Sequence, residues 1–308
     1  MILGEPIILG GGGGIDCVVI ITTDPSALVT ATLGNTSISK TANADGKAVL
    51  ELKKAGVWTI TASLNGETVS KEIDTSLSLE TELTFADPIL ENNSWEEISK
   101  IAKSGKASTI WNVGDTKSFV MGGVTYNAQI IGFEHDNVSD PTNYGREKAG
   151  ITFQIKELVG SGIRFNTSST NASWPNSNAR AVLQSYIDEK TIDESLMNIM
   201  VQVNKLYEDS VTDRTAIKSS ADMLFLLSES ELIGAVDLSL ANTGEQYAFY
   251  AAGNSKIKYK VGTTTKGEYW TRSRKYNYSN LFVYVNTSGT LARSTTSTSC
   301  LLAPAFCI

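Results

Sequence analysis

The feature that most constrains the fold is the apolar end of the chain, residues 301–308, which read LLAPAFCI. If this run were exposed, it would forgo apolar burial and promote aggregation. We therefore expect these residues to lie in a core. The stretch before them, residues 268–300, contains two short runs of strand-like alternation, which predicts a β-sheet at this end of the chain.

Composition limits the class of protein. A length of 308 residues suggests more than one domain. The net charge of −7 and the pI of about 5.0 argue against nucleic-acid binding, which needs clustered lysine and arginine. No stretch is apolar for long enough to cross a bilayer, so no membrane insertion is expected.

The three cysteines, Cys17, Cys300 and Cys307, lack the spacing of a metal site, and the chain has one histidine. We expect buried free thiols, because unpaired cysteine behaves as a small apolar residue. A Cys300–Cys307 disulfide is the alternative. No cofactor is expected.

Residues 1–14 predict an apolar docking arm on a glycine hinge, since residues 10–14 are all glycine. A disordered arm is the alternative. A signal peptide is not expected, because a positively charged start is missing and Glu5 and Pro6 interrupt the apolar stretch.

Residues 15–86 predict an all-β domain. Short β-branched runs recur with turns between them, and Asn65-Gly66 is a strong two-residue hairpin signal. The sequence of residues 44–64, ADGKAVLELKKAGVWTITASL, resembles immunoglobulin-like or carboxypeptidase-regulatory-like bacterial β-sandwich modules. That resemblance implies a spacer or an accessory adhesive role.

A linker is expected at residues 87–93, and a second domain at residues 94–308. The second domain opens on a capping box, in which Ser94 is the N-cap and Glu97 reaches back to it. Gly105 is expected to end that helix.

Several ordered motifs follow in the second domain. They are GDT at 114–116, IIGFEHD at 130–136, LLSE at 226–229, YAFYAAGN at 247–254, WTRS at 270–273, YVNTSG at 284–289 and PAFCI at 304–308. In this order they resemble a DUF6273-type domain of phages and prophages of gut Firmicutes. The resemblance covers about residues 94–308, and it implies a C-type-lectin-like fold related to variable receptor-binding proteins of phage tail fibres.

The predicted fold class is therefore multi-domain. An N-terminal all-β immunoglobulin-like sandwich is followed by an α+β C-type-lectin-like domain, whose binding face consists of polar loops and the last sheet.

Motif residues of this sort more often define a fold than contact a ligand. We expect that role for Trp270, Arg272 and Ser273, and also for His135 and Asp136. An acid–base pair at His135-Asp136 is the alternative. It is disfavoured because neighbouring strand residues point to opposite faces and no nucleophile has a recognisable motif.

A calcium site would need clustered oxygen ligands. Asp136, Asn137 and Asp140 form only a weak cluster, for which a solvated loop is the expected structure, so no metal is predicted.

The candidate ligand-binding residues are rich in tyrosine, asparagine and hydroxyl groups. Tyrosine gives a large rigid contact area and asparagine adaptable hydrogen bonds, a pattern typical of binding loops and suited to sugars. A solvated loop is the alternative. The candidates are Tyr276, Asn277, Tyr278, Asn280, Arg293 and Thr295.

These observations predict a non-enzymatic phage virion protein of a tail, baseplate or fibre, located in the phage particle and assembled in the host cytoplasm. Its expected partners are other virion proteins, bound through the arm and sandwich, and a host-surface glycan or protein. A homo-oligomer is expected, with a trimer as one form. A capsid or tail decoration protein and a bacterial surface adhesin are the alternatives.

Overall fold

A computed structural model describes residues 17–83, 86–167 and 173–308. Its contacts divide the chain into two compact units, Met1–Ala86 and Asp87–Ile308. The predicted docking arm, residues 1–14, lies outside the described residues. In those ranges no helix has both the length and the apolar character needed to cross a membrane.

The described part of the first unit contains strands and turns. Its strands form two sheets, ordered β4-β1-β7 and β3-β2-β5-β6. All neighbours pair antiparallel except β1 and β7, which are parallel. The strands are β1 (Cys17–Thr22), β2 (Leu28–Leu33), β3 (Thr36–Thr41), β4 (Lys47–Leu52), β5 (Val57–Leu64), β6 (Glu67–Asp74) and β7 (Glu80–Glu82).

Alternating side chains from both sheets form one hydrophobic core. Val19 and Ile21 face inward from β1, and Trp58 and Ile60 do so from β5. Each such side chain contributes about 1.5–3 kcal/mol when buried. Because strand side chains alternate between faces, the polar residues of β5 point outward, as Thr61 shows by hydrogen bonding to Ser70. The first unit is a two-sheet β-sandwich.

The hairpin predicted at Asn65-Gly66 is confirmed. It joins β5 to β6, and both residues have positive φ, 50° and 89°. Positive φ at both central positions is the geometry of the two-residue turn that matches strand twist.

The second unit contains most of the strands. Two sheets have the orders β14-β21-β10-β9-β8 and β16-β15-β11-β20-β17-β18-β19, and β12 pairs with β13. The strands are β8 (Thr116–Met121), β9 (Val124–Phe133), β10 (Ile151–Ile155), β11 (Glu157–Arg164), β12 (Val203–Glu208), β13 (Ile217–Asp222), β14 (Phe225–Leu226), β15 (Lys258–Lys260), β16 (Lys266–Gly267), β17 (Tyr269–Arg274), β18 (Leu281–Val285), β19 (Leu291–Thr295), β20 (Ser299–Leu302) and β21 (Pro304–Cys307).

The helices are short insertions between strands. Within the described ranges only α1 and α4 exceed five residues. The helices are α1 (Trp95–Ser104), α2 (Ala107–Ile110), α3 (Pro141–Tyr144), α4 (Asn178–Asp188), α5 (Glu194–Met197), α6 (Glu229–Ile233) and α7 (Ala248–Ala251), with 3-10 turns at Leu90–Asn92 and Trp174–Asn176.

The predicted fold class, an immunoglobulin-like sandwich followed by an α+β C-type-lectin-like domain, is wrong. Strands make up 43% of the structure and helices 17%, in several sheets with a half-barrel, and no clear α+β C-type-lectin-like arrangement is present. The motifs behind the prediction are short local segments, and they do not specify how strands pair across the unit.

The expected linker at residues 87–93 belongs instead to the packed second unit. The indole Nε1 of Trp111 donates a hydrogen bond to the Asp87 carbonyl at 3.0 Å, and the Glu91 carboxylate accepts one from the Ser118 backbone N–H at 2.7 Å. These bonds satisfy polar groups that a free linker would leave to water.

The capping box and the helix end predicted for α1 are confirmed. The Ser94 side chain accepts from the Glu97 N–H, the Glu97 carboxylate accepts from the Ser94 N–H, and Gly105 ends the helix in the left-handed conformation. Trp95 on α1 is buried and meets Phe306 edge-on, with ring centroids 6.4 Å apart.

The expected burial of the apolar end is also confirmed. Strand β21 lies between β14 and β10 in its sheet, and each of its residues is buried. Phe306 stacks on Phe153 of β10 with ring centroids 5.3 Å apart. Cys300 and Cys307 are buried free thiols, as predicted.

Candidate functional site

An exposed loop, residues 275–280, joins β17 to β18 and carries four of the six candidate binding residues. Its backbone is fixed from two other segments of the second unit. The Tyr276 N–H donates to the Leu238 carbonyl at 3.1 Å, and the Asn277 N–H donates to the Val211 carbonyl at 3.0 Å. The loop backbone is therefore held in place, while Tyr276, Asn277 and Tyr278 are exposed.

Two tyrosines of this loop are exposed. Tyr276 is 38% exposed and Tyr278 is 49% exposed. The guanidinium carbon of Arg214 lies 4.8 Å from the centroid of the Tyr276 ring, a cation–π contact that steadies the ring. Between the tyrosines, Asn277 has a φ of +64°, a conformation that asparagine tolerates better than most residues.

The other two candidates lie on β19, the last strand of its sheet. Both are exposed, and they lie two residues apart on one face. Arg293 pairs with Val283 of β18 and Thr295 with Leu281, next to the loop. The Thr296 N–H donates to the Asn280 carbonyl at 2.9 Å, which ties the strand end to the loop.

The structure thus brings the six predicted residues onto two adjoining elements. We call this set the display surface: Tyr276, Asn277, Tyr278, Asn280, Arg293 and Thr295.

The residues predicted to define the fold make internal contacts. All of β17 is buried. The Trp270 indole donates to the Ile163 carbonyl at 3.0 Å, and the Ser273 hydroxyl accepts from the Glu229 N–H at 2.9 Å.

Arg272 contacts four separate segments. Its guanidinium binds both carboxylate oxygens of Glu231, at 2.6 and 2.8 Å. It also donates to three main-chain carbonyls, those of Leu206, Leu226 and Thr243. The planar five-donor fork of arginine suits this bidentate and multi-carbonyl arrangement.

A buried ion network extends from Arg272 toward His135-Asp136. The Lys205 ammonium lies 2.5 Å from the Asp136 carboxylate and 2.7 Å from that of Glu231. The Asp136 carboxylate also accepts hydrogen bonds from the Thr152 hydroxyl at 2.6 Å and the Tyr247 hydroxyl at 2.8 Å. We call Asp136, Lys205, Glu231 and Arg272 the ion network. It contains two buried cations and two buried anions.

Mutual pairing keeps the network charged. Burial alone would raise the pKa of Asp136, but the neighbouring Lys205 ammonium holds it well below its usual range. Burial would likewise raise the pKa of Glu231, and Arg272 and Lys205 lower it. Burial alone would lower the pKa of Lys205, but the Asp136 and Glu231 carboxylates raise it above its ordinary value.

His135 lies beside the network. Its ring stacks on Tyr247, with centroids 4.0 Å apart. Burial lowers the pKa of His135 below its ordinary value, although the Asp136 charge opposes this, so the imidazole is neutral at neutral pH. His135 and Asp136 follow the end of β9, and Asp136 faces inward toward Lys205.

A polar pocket opens at this place. Its volume is about 210 Å³. Thr243 lines it and is 1% exposed, and the Thr243 hydroxyl has no hydrogen-bond partner. The lining residues are His135, Asp136, Asn137, Lys148, Asn204, Lys205, Leu206, Glu231, Thr243, Gly244 and Glu245.

The weak cluster of Asp136, Asn137 and Asp140 does not converge. Asp136 pairs with Lys205, while the Asp140 side chain caps α3 by accepting from the Asn143 N–H. Within the ranges that the structure describes, no group of three or more His, Cys, Asp or Glu residues could hold a metal ion.

The sequence interpretation missed Lys205, Glu231 and Thr243. The signal for Lys205 is its phase in β12, where it alternates with the buried residues Val203 and Tyr207. Glu231 stands three residues after Ser228, the spacing of a capping box, which the structure contains. Thr243 lies in a loop and has no such signal.

The second unit is a β-rich domain of several sheets. It carries an exposed loop with two tyrosines, and its core contains buried ion pairs. A family model described as "Domain of unknown function (DUF6273)" matches residues 149–308, and the chain belongs to this family. The match includes the display surface, Lys205, Glu231 and Arg272, and it begins after His135-Asp136. No curated protein and no solved structure matches the chain.

Proposed function

We propose that this chain is a non-enzymatic binding protein of a bacteriophage particle and that its display surface attaches to a glycan or protein of the host cell surface. The observation that carries the proposal is the pair of exposed tyrosines on a loop whose backbone is anchored by two other segments.

The chemistry of the display surface supports binding. Tyr276 and Tyr278 offer aromatic faces with few rotatable bonds, and Asn277 and Asn280 offer amide donors and acceptors. A sugar ring stacks on aromatic faces, and its hydroxyl groups bond to amides. Because the loop is already ordered, binding costs less conformational entropy than it would for a flexible loop.

The ion network supports a binding role rather than a catalytic one. Its charged groups are engaged with one another, and the Asp136 and Glu231 carboxylates are held ionised in the core. This arrangement stabilises one conformation of the segments that surround the pocket.

The place in a virion rests on the order of the motifs that resemble phage and prophage domains. On this proposal, the N-terminal arm and sandwich attach the chain to other virion proteins, as a homo-oligomer that includes the trimer as one form. Binding would then be multivalent, which raises avidity without new contacts.

The test is adhesion of the full chain to a panel of gut Firmicutes cells and to their purified wall polysaccharide. We expect saturable binding, and a loss of about tenfold or more on combining Tyr276→Ala, Tyr278→Ala and Arg293→Ala. The matched control is Tyr259→Ala, because Tyr259 is 42% exposed on β15 of the same sheet and lies outside the display surface.

Equal binding by the triple variant and the wild type would refute the display surface as the contact. Absence of binding by the wild-type chain, together with many copies of it on the particle, would instead favour a decoration protein.

A further inference from the structure

The Lys205 ammonium has three acceptors, one for each of its protons. They are Oδ1 of Asp136 at 2.5 Å, Oε1 of Glu231 at 2.7 Å and the Tyr247 hydroxyl at 3.1 Å. The contact with Oδ1 also places the nitrogen beside the carboxyl carbon of Asp136, Cγ. This is the atom that an amine attacks when it forms an amide.

The two carboxylate oxygens of Asp136 are bound differently. Oδ1 contacts the Lys205 ammonium, whereas Oδ2 accepts from the Thr152 hydroxyl at 2.6 Å. The Tyr247 hydroxyl is also nearer to Oδ2, at 2.8 Å, than to Oδ1, at 3.0 Å. Donors aimed at one oxygen stabilise the negative charge that develops on it when the carbon becomes tetrahedral. Oδ2 is therefore suited to remain as an amide oxygen, and Oδ1 is suited to leave.

The pair lies in the core. Lys205 is 2% exposed and Asp136 is 5% exposed, and the Lys205 nitrogen lies 4.3 Å from the centroid of the Phe225 ring. Burial by itself raises the pKa of Asp136 and lowers that of Lys205, but the pairing outweighs it, so the charged pair is the resting state. Burial nevertheless makes the neutral acid and amine easier to reach than they are for the same pair in water.

We propose that Lys205 and Asp136 join covalently in an isopeptide bond between Nζ and Cγ, with Glu231 as the proton acceptor. One ammonium proton passes to Oδ1, and the neutral amine attacks Cγ. A second proton passes from the nitrogen to Oε1 of Glu231 and on to Oδ1, and the Cγ–Oδ1 bond breaks. One water molecule leaves, the amide nitrogen keeps the third proton, and Glu231 regains its charge.

Fixed geometry is what makes this condensation favourable. An ammonium and a carboxylate do not condense in dilute solution, but groups held in a reactive arrangement reach effective concentrations of about 10⁵–10⁸ M. The polar pocket, which Asp136 and Lys205 line, receives the released water. The bond would join the segment after β9 to β12, and such a cross-link restricts the unfolded chain. The step occurs once per chain, without turnover, and does not depend on what the display surface binds.

The chain contains a matched internal control. Asp209 and Lys218 carry the same two groups at a similar distance, 2.6 Å, but their side chains are 36% and 63% exposed. Within the described residues Lys218 forms an ion pair with Asp209 alone, so a second carboxylate is missing there. We expect no covalent bond at this pair.

The test is mass spectrometry of the full wild-type chain, intact and after denaturation and trypsin digestion. The intact chain should be lighter than its sequence by one water molecule. Trypsin does not cleave after an acylated lysine. Residues 118–146 should therefore appear joined to residues 191–214, uncut after Lys205, while cleavage after Lys218 proceeds normally. Fragmentation of the joined peptides locates the bond.

Two variants test the roles of the residues. Lys205→Met should keep the full sequence mass. Glu231→Gln should slow bond formation about 100-fold or more, because a positioned proton acceptor is lost, and should leave most of the chain unlinked. Circular dichroism reports whether each variant is folded.

The wild-type chain decides the proposal even if neither variant folds. Full sequence mass together with complete cleavage after Lys205 would overturn it. So would a loss of water that persists in Lys205→Met, since the reaction would then lie elsewhere in the chain. Equal linkage in Glu231→Gln and the wild type would refute the role of Glu231.

Discussion

The display surface and the ion network belong to one unit but differ in how the chain builds them. The display surface comes from the loop between β17 and β18 and from β19, between residues 276 and 295, and its side chains are exposed except for the half-buried Asn280. The ion network joins residues from Asp136 to Arg272, and its side chains are buried. A substitution on the display surface therefore leaves the neighbouring side chains in contact with solvent. A substitution in the ion network leaves a buried charge without its partner.

The largest expected effect is the loss of one network partner. Glu231→Ala leaves Lys205 and Arg272 buried with one carboxylate between them, which should lower the free energy of unfolding by about 3–5 kcal/mol in urea denaturation. The matched control is Asp209→Ala, which breaks an exposed 2.6 Å ion pair with Lys218 and should cost about 0–1 kcal/mol. If both variants lost the same free energy of unfolding, the buried ion pairs would be no more important for stability than the exposed one.

A smaller effect is expected where the two regions meet. Glu208 is the last residue of β12 and is 2% exposed. One carboxylate oxygen, Oε1, has no hydrogen-bond partner, and the other accepts from the Arg274 N–H at 3.4 Å. Burial raises the pKa of Glu208 to about 7. The folded state then holds a proton that the unfolded state releases near pH 4.3, so the stability of the protein falls as pH rises from about 4 to 7.

Glu208→Gln removes that titration. We expect the variant to exceed the wild type in stability by about 3–4 kcal/mol at pH 8 and to match it near pH 4, as measured by urea denaturation at each pH. A difference that does not change with pH would show that the Glu208 carboxyl stays ionised in the fold.

The smallest effect is expected in the loop itself. Asn277→Ala places a Cβ residue without an amide at a φ of +64° and should cost about 1 kcal/mol, whereas Asn277→Gly should change the stability by a few tenths. Urea denaturation of the two variants measures the difference. Identical losses would mean that the asparagine side chain, rather than the backbone conformation, stabilises the loop.

Local features of this chain could be predicted because short-range rules decide them. The Asn65-Gly66 turn depends on two positive φ angles, and the cap of α1 depends on Ser94 and Glu97, three residues apart. The loop at residues 275–280 was also recognisable, since its composition differs from that of the buried strands on either side. In these cases the residues that matter are neighbours in sequence.

The fold class of the second unit was predicted wrongly because strand pairing is not local. Strand β21, at the end of the chain, lies between β10 and β14, which begin at Ile151 and Phe225. Motif order shows which segments are present and leaves open which of them become neighbours. Residues 87–93 show the same limit, since they were expected to form a linker and their hydrogen bonds place them in the packed unit.

By itself, the sequence determined the burial of the apolar end, the helix cap, the hairpin turn and the tyrosine-rich loop. The tertiary structure alone decided the ion network and the polar pocket. Lys205 illustrates the reason, because a lysine in a strand is ordinarily solvent-exposed, and it lies inward here next to two carboxylates from distant segments. A buried charge is stable only with such partners, and folding, rather than sequence spacing, brings them together.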